Sequence, residues 1–351
     1  SITLFGQIAQ QGNLVIVGGG LEANNKNIYN QLIELAGGVE KASFAIIPSA
    51  SGVSVQSFVY FKSTLRSYGI KSENIHLINI AMVDDDSTTN VNEASWSKNA
   101  NDRKLAKIVK KCSAVWFTGG DQMRTMQTLK NDDGSNTLVL DAVWDVYNRG
   151  GVVGGSSAGA AIMSEIMIGD GNSMSALRNG QKVHKEGEEF KSEDGVLVTD
   201  GLGFFPLGIV DQHFQQRNRM GRLIVALINN DKFNLGFGVD ENTALIYIGQ
   251  QNKIKVAGGS GVTIINTESA EISYHQNIHS FKNIRINYLE DGDTYDTQTA
   301  KLIPAQEKTA TIGNENYDHT VNQVGIFSGV GPSFRDLITE DLIDNKAKNT
   351  V

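Results

Sequence analysis

Five short apolar runs in the first two-thirds of the chain constrain its fold more than any other feature. They occupy positions 14–17, 44–48, 75–78, 114–117 and 151–154, and longer amphipathic segments separate them. Strand-length runs that alternate with helical segments are typical of βαβ units. The sequence therefore predicts an α/β protein with a doubly wound, mostly parallel sheet.

The pattern changes beyond about residue 235. Strand-like segments at 236–248, 254–256, 262–265 and 284–289 follow one another without long helices between them. They predict an antiparallel β region appended to the main sheet, and we assign residues 1–310 to one α/β domain that includes it. Residues 311–351 are rich in Asn, Thr, Gly and Asp before a short helical stretch at 334–344, and they form a predicted C-terminal extension.

Composition excludes several classes of function. The formal net charge of −8 and the absence of a basic stripe argue against a nucleic-acid partner. No apolar stretch approaches the ~20 residues needed to span a bilayer, so no membrane segment is expected. Cys112 is the only cysteine, and its apolar neighbours predict a buried core thiol. A disulfide within the chain is excluded, and no cysteine-based metal site is expected.

A glycine- and serine-rich turn follows the fifth apolar run. The sequence Gly-Ser-Ser-Ala-Gly at 155–159 precedes an apolar segment at 158–167 that we expect to be a helix. A Gly-x-Ser-x-Gly turn between a strand and a helix is typical of a nucleophile elbow. Ser157 is therefore the candidate nucleophile, and the Ala158 N–H is a candidate oxyanion donor. The alternative is a structural turn built from small residues.

The fourth apolar run ends in Thr-Gly-Gly-Asp-Gln at 118–122. Residues beyond the carboxyl ends of parallel strands line the ligand crevice of an open α/β sheet. The N–H of Gly119 or Gly120 is thus a candidate second oxyanion donor, and Gln122 is a candidate for hydrogen-bonding the substrate. A plain strand-ending turn is the alternative.

One histidine has surroundings that the other histidines lack. His213 lies in Val-Asp-Gln-His-Phe at 210–214 and is followed by Arg217, Arg219 and Arg222. A serine nucleophile needs an imidazole to accept its proton, and arginine binds carboxylates through two parallel hydrogen bonds. On spacing alone, a solvated basic helix face remains an equal alternative.

In combination, these motifs resemble those of the cyanophycinases, which belong to peptidase family S51. The likeness extends from about 14 to 289 and includes the segments at 47–51, 201–204 and 238–244. The resemblance implies a flavodoxin-like fold related to class I glutamine amidotransferases, and a homodimer. It also implies a serine peptidase without metal or organic cofactor that hydrolyses cyanophycin, a poly-aspartate bearing arginine on its β-carboxyls, to β-Asp-Arg dipeptides.

The resemblance also implies roles for individual residues. Ser157 matches the nucleophile and His213 matches the general base. The positions that match the substrate site are Gln122, Asp211, Gln212, Arg217, Arg219 and Arg222. In this site the arginines would hold substrate carboxylates, and Asp211 would either face a guanidinium or orient its neighbours.

The chain departs from the expected pattern at the third member of the triad. The resemblance implies a glutamate in the loop after the nucleophile helix, but the corresponding positions are Met174 and Ser175. Ser175 or Asp170 then becomes the candidate partner of His213, or the acid has moved to a glutamate at 186, 188 or 189. Because losing a triad acid can abolish turnover, a non-catalytic peptide-binding protein is one alternative function. A hydrolase of short aspartyl peptides is another.

A dinucleotide-binding loop at 18–20 is a weaker alternative, because Ala23 replaces the third glycine of the fingerprint. The extension beyond residue 310 favours a secreted or periplasmic location over a cytoplasmic one.

Overall fold

The computed structural model describes residues 12–183, 189–275, 278–320 and 333–347. Within these ranges its strands are β1 (Asn13–Val17), β2 (Phe44–Ile47), β3 (Ile75–Leu77), β4 (Ala114–Phe117), β5 (Val152–Ser156), β6 (Ile166–Gly171), β7 (Gln181–Val183), β8 (Val196–Asp200), β9 (Ile209–Asp211), β10 (Leu235–Val239), β11 (Thr243–Ile248), β12 (Lys253–Gly258), β13 (Gly261–Asn266), β14 (Glu271–His275), β15 (Ile278–Lys282), β16 (Arg285–Glu290), β17 (Thr294–Asp296) and β18 (Lys301–Ile303). The α-helices are α1 (Lys26–Leu35), α2 (Ser54–Ser67), α3 (Arg103–Lys111), α4 (Gln122–Leu129), α5 (Leu138–Asn148), α6 (Ala158–Ala161), α7 (Ser173–Asn179), α8 (Met220–Ile228) and α9 (Phe334–Asp336), which continues as a π-helix over Leu337–Ile343.

A nine-stranded sheet is the centre of the fold, with the order β18-β17-β12-β11-β1-β5-β4-β2-β3. Strands β1 to β5 are parallel to one another, and β11 pairs antiparallel with β1. A four-stranded sheet, β16-β13-β10-β9, packs beside it. The predicted doubly wound, mostly parallel sheet with added antiparallel strands is confirmed.

The central strands are buried on both faces, which explains why they appear as continuous apolar runs. Successive residues point to opposite sides, so Val115 and Phe117 lie in one core while Ala114 and Trp116 lie in the other. Helices α1 and α2 cover the second face, and α3 and α5 cover the first. Cys112 is buried in the first core, as predicted.

The prediction of a helix over 158–167 is wrong in extent. Helix α6 ends after one turn at Ala161, and β6 begins at Ile166 to pair antiparallel with β8. An apolar run alone does not distinguish a buried helix from a buried strand. Here the second half of the run forms a strand because it pairs with β8. The expected strand segment at 236–248 is likewise two strands, β10 and β11, separated by a turn in which Asn242 has φ +50°.

The described parts of the C-terminal extension contact the main domain. Tyr317 forms an isolated bridge with Asn345 within the extension, and the N–H of Arg335 donates to Gln215 Oε1 of the main domain at 2.9 Å. Gln215 is two residues beyond His213. A boundary between 310 and 311 remains a prediction. In the described ranges, no helix combines the length and apolar character needed to cross a bilayer.

Candidate active site

The ends of three strands bring the predicted site together. Ser157 follows β5, His213 follows β9, and a carboxylate not predicted from the sequence, Glu241, follows β10. Ser156 is in register with Val17 of β1, and Val17 is in register with Ala244 of β11. The loops that carry these side chains therefore meet at one edge of the central sheet.

The turn at Ser157 has the geometry of a nucleophile elbow. Ser157 has φ +57° and ψ −112°, a strained conformation for a residue with a side chain. A Cβ on Gly155 would lie 2.5 Å from the Gly159 carbonyl oxygen, and a Cβ on Gly159 would lie 2.4 Å from the Phe117 carbonyl oxygen. Both flanking glycines are thus required by close backbone packing, which favours the elbow over a simple structural turn.

His213 lies directly against this serine. Its Nε2 is 2.8 Å from Ser157 Oγ, and the backbone N–H of His213 donates to the Gly18 carbonyl oxygen at 2.6 Å. A Cβ on Gly19 would lie 2.2 Å from His213 Cε1. The glycine run at 18–20 therefore forms the surface against which the imidazole packs, and this role replaces the alternative of a dinucleotide loop.

The other nitrogen of the imidazole meets Glu241, with His213 Nδ1 2.5 Å from Glu241 Oε1. The expectation that Ser175 or Asp170 would hold His213 is therefore corrected. The Ser175 N–H donates to Asn172 Oδ1 at the start of α7, so this residue serves the helix terminus. The Asp170 carboxylate accepts hydrogen bonds from the Gly171 N–H and the Ser192 hydroxyl. Of the other candidate glutamates, those at 186 and 188 lie outside the described residues, and Glu189 makes no described contact with His213.

The adjacent acidic residues Asp240 and Glu241 have different roles: Asp240 is buried in the core, and Glu241 contacts His213 in the site. Asp240 is buried, and its carboxylate accepts from the N–H groups of Gln215 and Gly261 and from the Ser260 hydroxyl. Burial raises the pKa of Asp240, and these hydrogen bonds oppose the rise. Asp240 anchors the turn, so Glu241 is directed at His213. The sequence signal that could have identified Glu241 is the occurrence of two consecutive carboxylates directly after a buried strand.

Burial lowers the pKa of His213 below its usual value. The hydrogen bond with Glu241 opposes this shift, whereas the positive charges of Arg217 and Arg219 add to it. The imidazole is therefore neutral at neutral pH. A neutral His213 with Nδ1–H donated to Glu241 presents the Nε2 lone pair to Ser157, which is the arrangement needed to accept a proton.

One of the predicted oxyanion donors, Gly119, lies beside the serine. The position of a Cβ on Gly119 would lie 3.8 Å from Ser157 Oγ, so the main chain of Gly119 passes beside the hydroxyl. Gly120 has φ +139°, and Ala158 is the first residue of α6. Among the described residues, no backbone carbonyl accepts the N–H of Gly119 or Gly120.

A cavity of about 620 Å³ opens beside Ser157, and we call it the arginine-lined cavity. Arg217 is exposed at its rim. Arg219 is largely buried and donates from Nη1 to the Gln212 carbonyl oxygen at 2.7 Å. The predicted substrate-site residues all line this cavity except Asp211, which lies behind its wall.

Asp211 and Arg222 form a buried ion pair rather than two free ligands. Arg222 donates from Nε and Nη2 to the Asp211 carboxylate at 2.8 and 2.5 Å, and from Nη1 to the Gly171 carbonyl oxygen at 2.6 Å. Burial alone would raise the pKa of Asp211, but the charge and hydrogen bonds of Arg222, together with the charge of Arg219, outweigh it and the pKa is lowered. Of the two roles foreseen for Asp211, the structure supports that of orienting its neighbours. Arg222 is likewise committed to protein partners.

The two glutamines of the site differ in how they are bound. Gln122 donates from Nε2 to the carbonyl oxygens of Ile168 and Gly169, at 3.1 and 2.6 Å, so this nitrogen is not free for a substrate. Gln212 is buried, and its Oε1 has no hydrogen-bond partner among the described residues. Gln212 Oε1 is therefore an unpartnered acceptor buried in the cavity wall.

The model of peptidase family S51 matches this chain over residues 14–255. The chain belongs to peptidase family S51. Its S51 relatives include the cyanophycinase of Geminocystis herdmanii, which is 30% identical over 299 residues, covering 84% of this chain and 96% of the relative. The cyanophycinase of Synechococcus elongatus is 29% identical over 299 residues, covering 82% and 80%.

Solved structures agree with the S51 assignment at the level of the fold. A peptidase from an acI-B1 Actinobacterium superposes with a TM-score of 0.54 at 20% sequence identity, covering 82% of this chain and 98% of that one. The family resemblance seen in the motifs is thus confirmed, and the protein is a peptidase. In the described ranges, no cluster of three or more His, Cys, Asp or Glu side chains is arranged to hold a metal ion.

Proposed function

We propose that this S51 peptidase is a serine hydrolase that cleaves cyanophycin to β-Asp-Arg dipeptides. The observation that carries the proposal is the continuous hydrogen-bond chain Ser157–His213–Glu241 at the mouth of a cavity lined by arginines. The relatives named cyanophycinase support the substrate.

In the first half of the reaction, His213 Nε2 takes the proton of Ser157 while Oγ attacks a main-chain carbonyl of the aspartyl backbone. The N–H groups of Ala158 and of Gly119 or Gly120 stabilise the oxyanion. The C–N bond then breaks, the imidazolium gives its proton to the leaving amine, and the acyl group remains as an ester on Ser157.

In the second half, His213 takes a proton from water, and the resulting hydroxide equivalent attacks the ester carbonyl. The C–Oγ bond breaks and Oγ recovers its proton from His213, which releases the acid product. Glu241 stabilises the imidazolium in both halves and keeps the Nδ1–H tautomer, so that Nε2 always faces the reacting atoms.

Substrate recognition rests on charge. Each arginine of cyanophycin is attached through its α-amino group, so it presents a free carboxylate as well as a guanidinium. Arg217 and Arg219 line the arginine-lined cavity together with Asp121 and Asp170, so the cavity offers arginines to the carboxylate and aspartates to the guanidinium.

Two observations separate this proposal from its alternatives. Glu241 completes a triad, which favours an enzyme over a non-catalytic binding protein. A second cavity of about 390 Å³ is lined by Gly119 and Ser156, so open space flanks the nucleophile on two sides. This arrangement favours a chain that continues past the cleaved bond over a short peptide enclosed in one pocket. The homodimer and the secreted or periplasmic location remain predictions.

The test is incubation of the purified protein with insoluble cyanophycin, with soluble products followed by mass spectrometry. We expect β-Asp-Arg from the wild type and none from Ser157→Ala. Full activity of Ser157→Ala would exclude the mechanism. Cleavage of short aspartyl peptides without release of β-Asp-Arg from the polymer would support the dipeptidase alternative.

A further inference from the structure

A short helix of the C-terminal extension is tied to the loop that carries His213. The first N–H groups of a helix have no partner within the helix, so they need acceptors from elsewhere. At the start of α9, the Asp336 N–H donates to Ser333 Oγ at 3.1 Å, whereas the Arg335 N–H donates to Gln215 Oε1 at 2.9 Å. The first turn of α9 therefore uses a side chain of the main domain as one of its caps.

Gln215 also joins the two loops that carry the His213–Glu241 pair. It is 8% exposed, and its backbone N–H donates to Asp240 Oδ1 at 3.1 Å. The next residue adds a second link, because Gln216 Oε1 accepts the backbone N–H of Glu241 at 3.1 Å. Two hydrogen bonds of opposite direction therefore hold the loop after β9 against the turn after β10.

The extension also contacts β16, a strand whose side chains reach this junction. Arg335 Nη2 lies 3.4 Å from Glu290 Oε1, and Tyr288 donates to Asp240 Oδ2 at 3.2 Å. The side chains of the Arg335–Glu290 pair are 41% and 37% exposed, and exposed ion pairs contribute little to stability. The main-chain hydrogen bond to Gln215 is therefore the contact of Arg335 that we expect to matter most.

The distances within the triad leave little room for movement. His213 Nε2 is 2.8 Å from Ser157 Oγ, and a displacement of about 1 Å can cost about 10²-fold in rate. Neither Arg335 nor Gln215 lines the arginine-lined cavity. A change at either residue should therefore act on the rate of the chemical step rather than on the binding of substrate.

We propose that the C-terminal extension is a positioning element of the active site. Through the hydrogen bond between Arg335 and Gln215, it holds the loop after β9 at the distance from the turn after β10 that the triad requires. The proposal rests on the proposed function, since it takes His213 and Glu241 as members of a catalytic triad. Arg335 contacts neither of these two side chains, so its part in the reaction is indirect.

The test removes the hydrogen bond from each side. Arg335→Pro deletes the N–H, and proline is tolerated in the first turn of a helix. Gln215→Met deletes the acceptor oxygen and keeps the length of the side chain. In each variant, we expect kcat for a soluble β-Asp-Arg oligomer to fall by about 3–10-fold, the equivalent of one hydrogen bond, with KM unchanged. The double variant should lose no more than either single variant, because both changes break the same link.

A second readout does not depend on the peptide substrate. A fluorophosphonate modifies a reactive serine: Oγ bonds to phosphorus, the P–F bond breaks to release fluoride, and the imidazole takes the hydroxyl proton. The second-order rate constant of this reaction at Ser157 should fall in Arg335→Pro and in Gln215→Met by the same factor as kcat.

Two controls separate this link from its surroundings. Arg335→Met removes the guanidinium but keeps the N–H, so kcat should change by less than about twofold. Asp344→Ala alters the same extension at a carboxylate that accepts two hydrogen bonds from Asn316 and has no described contact with Gln215. This variant should leave kcat and the labelling rate unchanged. Thermal melting checks that each variant is folded.

The outcomes distinguish the positioning role from the proposed function. Wild-type rates in both Arg335→Pro and Gln215→Met would overturn the positioning role and leave the proposed function standing. Additive losses in the double variant, or equal losses in Arg335→Met and Arg335→Pro, would also overturn it. Slower labelling of Ser157 in the two variants of a protein that releases nothing from cyanophycin would support the positioning role and exclude the proposed function. A wild type whose serine does not react and that cleaves nothing would overturn both.

Discussion

Nδ1 of His213 lies 2.5 Å from Oε1 of Glu241, and no other described carboxylate contacts this imidazole. We predict that Glu241→Gln lowers kcat by about 10⁴-fold, because the amide can stabilise neither the tautomer nor the imidazolium. Initial rates on cyanophycin measure the change, and circular dichroism checks that the fold is retained.

The matched control is Ser175→Ala, which removes the side chain first expected to orient His213. This hydroxyl makes no described hydrogen bond with the imidazole, so kcat should change by less than about twofold. A larger loss in Ser175→Ala than in Glu241→Gln would return the orienting role to the α7 loop.

The pH dependence of kcat/KM should report the lowered pKa of His213. Because catalysis needs the neutral imidazole, the acid limb of the profile should lie below 6.5, and activity should persist in mild acid. Arg217→Gln removes a positive charge that disfavours the imidazolium, so the acid limb should move to higher pH. Glu241→Gln removes a partner that favours the imidazolium and should move the limb to lower pH. Equal shifts in the same direction would contradict the assignment.

The buried Asp211–Arg222 pair should matter for stability more than for contact with the substrate. Arg222→Met removes both guanidinium hydrogen bonds from the buried Asp211 carboxylate and leaves it only Arg219, 3.7 Å away, so we expect the free energy of unfolding in urea to fall by about 3–5 kcal/mol. Adding Asp211→Leu should recover most of this loss, because two apolar side chains then replace the pair. Arg217→Met, at an exposed position, should change stability by less than about 0.5 kcal/mol while raising KM. If Arg217→Met destabilised the protein as much as Arg222→Met, the distinction between the two arginines would be wrong.

A methyl group at Gly19 should disturb catalysis through His213. The Cβ of Gly19→Ala would overlap the imidazole, so we predict a loss in kcat of about 10²-fold or more from displacement of the ring. Gly38→Ala is the control, since its φ of +81° carries a comparable backbone strain but no atom lies within 4 Å of the added methyl. Steady-state rates on both variants, with thermal melting alongside, separate the contact from the strain. Equal rates would contradict the contact.

The parts of the site that are local in the chain could be predicted from sequence. The parallel strands appear as continuous apolar runs, and the elbow at Ser157 is defined by glycines two residues to either side. His213 was recognised because a strand precedes it and arginines follow it. Each of these signals lies within about ten residues of the side chain it identifies.

Features that depend on distant pairing could not be found in this way. Glu241 meets His213 only because β11 pairs with β1 and β10 pairs with β9. The residues near Glu241 in the sequence predict neither of these strand pairings. Asp211 at the end of β9 pairs with Arg222 in the first turn of α8, and the sequence alone leaves two interpretations of Asp211 open. The early end of α6 and the cavity beneath α2 likewise depend on tertiary packing, which overrides the local apolar pattern.

The antiparallel pairing of β11 with β1 also sets the order in which a newly made chain can become active. Ser157 and then His213 leave the ribosome before Glu241, and Glu241 is positioned only when β11 has docked against β1. A nascent chain that has already folded its parallel strands therefore holds the serine and the histidine without their acid. Hydrolysis has to wait until β11 has been synthesised and has paired with β1, so this pairing and the onset of activity are the same event.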